Sequence, residues 1–364
     1  MRKYQSADLS EMYMMECLAL AMKGRGRVSP NPLVGAVLVR EGRVVGRGFH
    51  KTFGGPHAEV HAIREAGRMS KGASLYVNLE PCNHYGKTPP CTDLIIESGI
   101  SEVVVGTSDP NPRVSGRGFK ALRRAGVKVR AGILAEECAR LNESFFKHVR
   151  TGIPFVAIKV AQTLDGKIAD SQGTSKWITA RNARKKVHGL RSTYDAVLVG
   201  AGTVRNDNPR LTVRLVKGRN PLRVILEGRS AIRSNARVFS KNARTLVFTA
   251  SKRRPVKYGS NVEFVEVRNS VNGLLPLKKI LKDLGERGIA SVLVEGGAMI
   301  FSEFLAQGLV DRIYCFVAPC VMGKGLDAFH HIANRTIKRT IDLESVAASM
   351  AGQDLLVQAL VRKR

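Results

Sequence analysis

The sequence predicts two consecutive α/β domains. Three observations carry that prediction. The chain has 364 residues, about two domains at roughly 150 residues each. Runs of β-prone residues alternate with runs of helical period along most of its length, the signature of layered α/β folds. The alternation is interrupted at Thr151-Gly152-Ile153-Pro154, a breaker cluster that separates a first domain, 1–150, from a second, 151–364.

Taken in order, Met12, Met15, Leu18, Ala19 and Met22 recur at three- and four-residue steps until Gly24 and Gly26 stop them, which predicts a helix with its methionines in the core. Val34 to Val39 and Arg43 to Gly48 flank Glu41-Gly42 as a hairpin. There follow an amphipathic helix from His57 to Ala66, a strand Leu75 to Leu79, a helix after Cys91, a strand Val103 to Gly106, a helix Gly118 to Ala125, a strand Val127 to Ala131 and a helix Ala135 to Val149. Past the breakers, strands are expected at Phe155 to Val160, Ala196 to Val199, Leu222 to Leu226, Thr245 to Thr249, Ser291 to Val294 and Arg312 to Ala318, with helices at Asn182 to Ser192 and Leu277 to Arg287. There is no internal repeat, low-complexity segment or heptad pattern.

Composition narrows the class. With 44% hydrophobic and 24% charged residues the chain is neither disordered nor collagen-like. No run approaches the roughly 20 apolar residues of a membrane span, and Met1-Arg2-Lys3-Tyr4-Gln5-Ser6-Ala7-Asp8 lacks the apolar core of a signal peptide, so a cytoplasmic protein with no membrane partner is expected. Six cysteines are too few for a disulfide scaffold and should be thiols or metal ligands. The net charge of +29 implies attraction to polyanions such as phosphorylated substrates. It is concentrated past residue 150, where the surplus is +20, yet scattered over Arg181, Arg184, Lys185, Arg205, Arg210, Lys217 and others rather than interleaved with aromatics. A solvated basic surface is the plain reading, and no nucleic-acid partner is expected.

The first constellation is His57-Ala58-Glu59 at a helix start, followed by Glu80-Pro81-Cys82 after a strand, and Cys91. One histidine and two thiolates make three zinc ligands and leave the fourth position for water, the arrangement of a catalytic rather than a structural site. Zinc lowers the pKa of that water to about 7. Glu59, two residues from His57, is suited to carrying its proton to a ring nitrogen and a leaving amine, the division of labour of nucleobase deaminases. Singly, each residue could be ordinary: a satisfied polar histidine, or cysteines that act as small buried apolar groups, as Cys17, Cys138, Cys315 and Cys320 are expected to do. In place of the Pro-Cys-x-x-Cys spacing of cytidine and nucleic-acid deaminases, eight residues separate Cys82 from Cys91.

Ser29-Pro30-Asn31-Pro32-Leu33-Val34-Gly35, Gly48-Phe49-His50, Pro56 to Ala62, Leu79 to Cys91, and Asp109-Pro110-Asn111-Pro112 with Gly116-Arg117-Gly118 closely resemble the deaminase half of the RibD family of bifunctional riboflavin biosynthesis proteins. The resemblance implies a cytidine-deaminase-like three-layer domain in which His57, Cys82 and Cys91 bind zinc and Glu59 is catalytic. It further implies that Asn31, His50, His84 and Lys87 contact a pyrimidine ribotide and its phosphate. A lysine suits a phosphate on physical grounds as well, whereas His50 could equally be a surface residue ending the hairpin.

The second half has no Gly-x-Gly-x-x-Gly after its first strand, which argues against a Rossmann fold. It does have small residues directly after apolar strands, at Gly200-Ala201-Gly202-Thr203 and at Glu295-Gly296-Gly297-Ala298, where backbone can approach a phosphate. Each alone is no more than a turn. Together with Lys159 to Lys167, Ser175 to Thr179 and Asn206 to Arg214, in this order, they resemble the reductase half of the same family. That implies a dihydrofolate-reductase-like α/β domain using NADPH, with cofactor contacts at Ala161, Trp177, Thr203, Asp207 and the loop from Gly297, Ala298 and Met299 to Glu303. Substrate contacts are implied at Lys159, Ser175, Arg191, Leu211, Arg214 and Glu295. Trp177 could instead belong to the core, and Lys159 and Asp207 are both candidates for a proton donor.

The expectation is therefore one chain that first deaminates 2,5-diamino-6-(5-phosphoribosylamino)pyrimidin-4(3H)-one with zinc, then reduces the ribosyl group with NADPH to give 5-amino-6-(5-phosphoribitylamino)uracil, as a homo-oligomer. The alternative from the charge is an RNA-directed zinc deaminase with a basic, non-catalytic second domain; the thiolate spacing and the 6% aromatic content oppose it.

Overall fold

The computed structural model describes residues 2–363 except 87–88, 113, 229–231, 251–257, 268–274, 333–335 and 337–338, with side chains from residue 9 onward. The chain forms two compact units, Met1–Gly152 and Ile153–Arg364.

The first unit runs α1 (Arg2–Met22), β1 (Gly35–Arg40), β2 (Arg43–Phe49), α2 (Ala58–Ala66), β3 (Ser74–Leu79), α3 (Cys91–Glu97), β4 (Glu102–Thr107), α4 (Arg117–Arg124), β5 (Lys128–Ala131), α5 (Ala135–Leu141) and α6 (Glu143–Thr151). Glu41 and Gly42 both take positive φ, 50° and 73°, the two-residue turn whose twist matches an antiparallel hairpin. The five strands order as β2-β1-β3-β4-β5, with β3, β4 and β5 parallel. Successive residues of β1 face opposite sides: Ala36 and Leu38 join Ala58, Ala62, Leu75 and Leu122 in one core, while Val37 and Val39 join Met14, Cys17, Leu20 and Cys138 in the other. Both faces of the sheet are covered at its centre, which explains why β1, β3 and β4 read as near-continuous apolar runs while the edge strands β2 and β5 carry exposed Arg and Lys.

Two expectations need correction here. In α1 the buried stripe is Tyr13, Met14, Cys17, Leu20 and Ala21, whereas Met12, Met15 and Met22 are 46%, 55% and 42% exposed. The helix is apolar on more than one side, so periodicity gave its existence but not its phase. The single helix expected from Ala135 to Val149 is two, broken at Asn142. Its amide accepts from the Leu33 N–H at 2.8 Å and donates to the Leu33 carbonyl at 3.0 Å, a bond to a residue more than a hundred positions away.

The second unit contains β6 (Phe155–Thr163), β7 (Lys167–Asp170), α7 (Arg181–Thr193), β8 (Ala196–Gly200), α8 (Ala201–Asp207), β9 (Leu222–Glu227), β10 (Thr245–Thr249), β11 (Val262–Glu266), α9 (Leu277–Glu286), β12 (Ser291–Gly296), α10 (Ala298–Ala306), β13 (Arg312–Ala318), β14 (Gly325–Asp327), β15 (Leu343–Ala351) and β16 (Asp354–Val361). Nine strands order as β11-β10-β9-β8-β12-β6-β13-β16-β15. The first seven are parallel and the C-terminal hairpin adds antiparallel at the β13 edge. Helices α9 and α10 fill one face with Leu277, Leu281, Leu284, Phe301 and Phe304; α7 and α8 fill the other with Ala183, Val187, Ala201 and Val204. Cys320, expected to be buried, is exposed because it lies beyond the last residue of β13. Among the described residues no helix is long and apolar enough to cross a membrane.

Candidate active sites

In the first unit three potential metal ligands come from three element ends. His57 precedes α2, Cys82 follows β3, and Cys91 opens α3. Helix α2 can lie directly on β2 because position 48 is glycine: a Cβ there would stand 2.0 Å from the Ala58 carbonyl oxygen. His57 Nδ1 is 3.2 Å from Cys91 Sγ and 3.5 Å from Cys82 Sγ, and the Cys91 N–H points to Cys82 Sγ at 3.4 Å. All three donor atoms lie within 4.8 Å of one another, and among the described residues this is the one His/Cys/Asp/Glu group so arranged.

The electrostatics suit a cation. The Cys91 thiol, hydrogen-bonded to Cys82, brings the Cys82 thiol down to about 4, and Cys82 in turn raises the His57 imidazole to about 9. Beside them Glu59 is 3% exposed and its Oε2 has no hydrogen-bond partner, so burial raises its carboxyl above the usual range. A buried carboxylate oxygen without a partner next to two thiols and an imidazole is a donor set that fits zinc and a proton carrier.

His57, Glu59 and Cys82 open on a cavity of about 250 Å³ that Asn31, His50 and His84 also line. His50 is 2% exposed and so is not a surface residue; its Nε2 meets Asn31 Nδ2 at 3.2 Å and its Nδ1 meets the Pro56 carbonyl at 3.0 Å. Lys87 lies outside the described residues.

Sequence reasoning missed the group that shapes the far wall. Glu80, 3% exposed, accepts backbone N–H bonds from Gly118 at 3.0 Å, Gly116 at 3.1 Å, Asp109 at 3.3 Å and Phe119 at 3.4 Å. One carboxylate thereby ties the end of β3 to Asp109, Gly116 and the first turn of α4, beside Asp109, Asn111 and Val114 of the cavity lining. The partners lie 29 to 39 positions away, beyond any local pattern.

In the second unit a cavity of about 410 Å³ opens at the C-terminal ends of β8 and β12, the usual ligand-binding edge of a parallel sheet. Ser175, Thr203, Asp207, Gly297, Ala298 and Met299 line it, together with Arg205, Glu303 and His331, which the sequence did not single out as contacts apart from the loop end at Glu303. Gly296 and Gly297 carry no side chain where Thr203 crosses: a Cβ would stand 2.9 or 3.3 Å from its Oγ1. A bare backbone at the start of α10 fits a phosphate-bearing cofactor.

Lys159, Arg191 and Glu295 form a buried cluster. Glu295 pairs bidentately with Arg191 at 2.6 and 2.8 Å and lies 3.6 Å from Lys159 Nζ. Burial opposes its charge, yet Arg191 and Lys159 hold Glu295 at about 2. The Arg191 fork is thus occupied by a carboxylate, and its remaining contact is the Thr212 carbonyl at 3.3 Å. Burial lowers Lys159, with Glu295 acting against it. Arg214 Nη1 donates to Thr212 Oγ1 at 2.7 Å, and its backbone N–H donates to His188 Nδ1 at 2.8 Å. Leu211 is buried with φ 53°. Ala161 is half-buried on β6. Ser175 donates to Asp207 Oδ1 at 2.8 Å, joining an implied substrate residue to an implied cofactor residue. Trp177 is not core: it is 71% exposed.

Residues 8–107 match the cytidine and deoxycytidylate deaminase zinc-binding region, and residues 154–357 match the RibD C-terminal domain. The riboflavin biosynthesis protein RibD of Aquifex aeolicus is 44% identical over 96% of this chain and 98% of its own, and that of Escherichia coli is 38% identical over 86% and 88%. A Thermotoga maritima crystal structure, a diaminohydroxyphosphoribosylaminopyrimidine deaminase/5-amino-6-(5-phosphoribosylamino)uracil reductase, superposes with a TM-score of 0.90 at 47% identity, covering 98% of this chain and all of its own. An Acinetobacter baumannii RibD structure gives 0.88 at 34% identity. The first unit is thus cytidine-deaminase-like, and the basic second half is a reductase-type domain of dihydrofolate-reductase-like fold. With a cluster of potential zinc ligands in one half, a cavity at the strand ends of the other and relatives matched along nearly the full length, the chain belongs to the RibD family of bifunctional riboflavin biosynthesis enzymes, which use zinc and NADPH.

Proposed function

We propose that residues 1–150 deaminate 2,5-diamino-6-(5-phosphoribosylamino)pyrimidin-4(3H)-one and residues 151–364 reduce the product to 5-amino-6-(5-phosphoribitylamino)uracil. The single observation that carries the first step is the convergence of His57, Cys82 and Cys91 beside the unpartnered Glu59 oxygen. Those three hold zinc, which when bound makes a water acidic enough to lose its proton near neutral pH. Glu59, kept protonatable by burial, carries the two protons of the water in turn, the first to the ring nitrogen and the second to the amine that departs as ammonia. Asn31, His50 and His84 orient the pyrimidine, and Lys87 pairs with the phosphate.

For the second step, NADPH when bound supplies the hydride. Thr203, Asp207, Gly297, Ala298 and Met299 hold it in the cavity they line, and Ala161 and Trp177 supply further contacts to it. Ser175, Leu211 and Arg214 position the ribotide beside the Lys159–Arg191–Glu295 cluster. Lys159 is the proton donor we favour over Asp207, because burial eases proton release from its ammonium. The location is cytoplasmic, where a reducing environment keeps the thiolate ligands intact. The exposed Leu343, Val346, Met350 and Leu355 of the C-terminal hairpin support a homo-oligomer.

The test of the site assignment is Cys82→Ser. Zinc content and ammonia release from the ribotide are expected to fall together, while the deaminated ribotide still drives NADPH oxidation. A Cys82→Ser protein that retains its zinc contradicts the ligand set.

A further inference from the structure

Trp177 is unusual in being a large aromatic left in solvent yet firmly held. Ser175 and Lys176 before it are anchored to Asp207, through Ser175 Oγ on the carboxylate at 2.8 Å and Lys176 Nζ on the carbonyl at 2.6 Å. After it, the Ala180 N–H donates to Asp354 Oδ2 at 2.9 Å, a carboxylate that is fully buried at the start of β16. The turn is therefore pinned at both ends, to α8 on one side and to the C-terminal hairpin on the other. Between the pins, the ring itself has a charged partner. The Arg184 guanidinium lies 4.2 Å from the centroid of the indole, and its Nη1 donates to the Thr179 carbonyl at 3.0 Å. The same guanidinium thus touches the ring and the backbone two residues beyond it.

Arg184 stands one turn before His188 on α7, and Arg191 lies seven positions on, so one face of this helix bears all three. Arg191 holds Glu295 and His188 holds the Arg214 backbone. Trp177 is the third group held from this face, and Arg184 is what holds it.

We infer that Arg184 is a positioning residue for the cofactor: stacked on one face of Trp177, it fixes the indole as a rigid wall of the NADPH site and leaves the opposite face to the cofactor. This rests on the reading that Trp177 contacts NADPH. An exposed indole without Arg184 keeps its place in the chain but loses its orientation, so the cofactor must order it on binding. A guanidinium suits the task because its planar cation stacks on an aromatic face while its edge still donates to a carbonyl.

The experiment uses the fact that the chain has one tryptophan, so protein indole emission reports on this site alone. Full-length, zinc-loaded wild type, Arg184→Ala, Arg184→Lys and Trp177→Phe are compared by NADPH titration calorimetry, by steady-state KM for NADPH, and, where the indole remains, by acrylamide quenching. Circular dichroism and the urea unfolding midpoint of the full chain verify that the second unit of each variant is folded. In the wild type, NADPH quenches the indole. In Arg184→Ala, acrylamide reaches the indole more readily and NADPH binds roughly two- to five-fold more weakly, the range for an exposed cation–π contact. The loss falls on NADPH Kd and KM and not on kcat at saturating NADPH, and Arg184→Lys recovers part of it. If Trp177→Phe weakens NADPH binding while Arg184→Ala does not, Arg184 is no positioning residue and the inference is overturned. If NADPH leaves the indole emission unchanged and Trp177→Phe binds NADPH like the wild type, the cofactor contact at Trp177 is what fails, and the inference falls with it.

Discussion

Glu295 binds Arg191 through both carboxylate oxygens, at 2.6 and 2.8 Å, at the end of the strand β12 that leads into the cavity of the second unit. Neither group has solvent to fall back on, since the two side chains are 4% and 12% exposed. Removing one charge leaves the other, and Lys159, buried and unmatched. Glu295→Gln is therefore expected to lower stability by about 3–5 kcal/mol, read as a shift in urea unfolding, and to abolish NADPH oxidation. A Glu295→Gln protein as stable as wild type would show that the cluster is hydrated rather than buried.

His188 gives the fold a sensitivity to acid. Burial, with Arg191 and Arg214 adding to it, lowers His188 from 6.5 to about 4, so its Nδ1 stays free to accept the Arg214 N–H. A native pKa below the unfolded one means the contribution to stability is complete above pH 6.5 and is lost as pH falls toward 4. Asp109, raised by burial from 3.8 to about 6, acts with the opposite sign in the same range, so the informative comparison is between variants. His188→Gln, which keeps an acceptor but cannot titrate, should flatten the fall in unfolding midpoint between these pH values relative to wild type. An identical slope in the two proteins would remove His188 from the account of acid sensitivity.

Glu80 organises a loop rather than chemistry. Four backbone N–H groups converge on its carboxylate, and Glu80→Gln turns an amide donor toward some of them. A loss of about 1–3 kcal/mol and a raised KM for the ribotide are expected, with zinc content unchanged by metal analysis. Unaltered KM would place Asp109, Asn111 and Val114 outside the substrate site.

Glu59→Gln separates the two halves of the chain. Proton transfer by a positioned carboxylate is worth about 10²–10⁴-fold, so ammonia release should fall by that factor while zinc remains bound. Loss of zinc along with activity would make Glu59 a ligand instead of a proton carrier.

How legible all this was depended on distance along the chain. His57, Glu59, Cys82 and Cys91 fall within 35 consecutive residues and each sits at an element end with its own local signal, so order and spacing already grouped residues that the fold brings together. Trp177 and Arg184 are seven residues apart, but no pattern distinguishes an indole held by a guanidinium in solvent from one in a core. Glu80, His188 and Asn142 act through backbone groups 26 to 109 positions away, where sequence has no periodicity to offer. The C-terminal hairpin escaped notice because β15 is exposed along eight of its nine residues and so lacks the apolar alternation that marks a half-buried strand. The short helices α8 and α10 each begin directly at the glycines read as loops.

The most direct test of the two-step function is NADPH oxidation by the purified, zinc-loaded chain supplied with the diaminopyrimidine ribotide. Wild type is expected to oxidise NADPH, Glu59→Gln to do so only when given the deaminated ribotide. No oxidation by the wild type with either pyrimidine would contradict the reductase assignment; oxidation by Glu59→Gln from the diaminopyrimidine itself would contradict the order of the two steps.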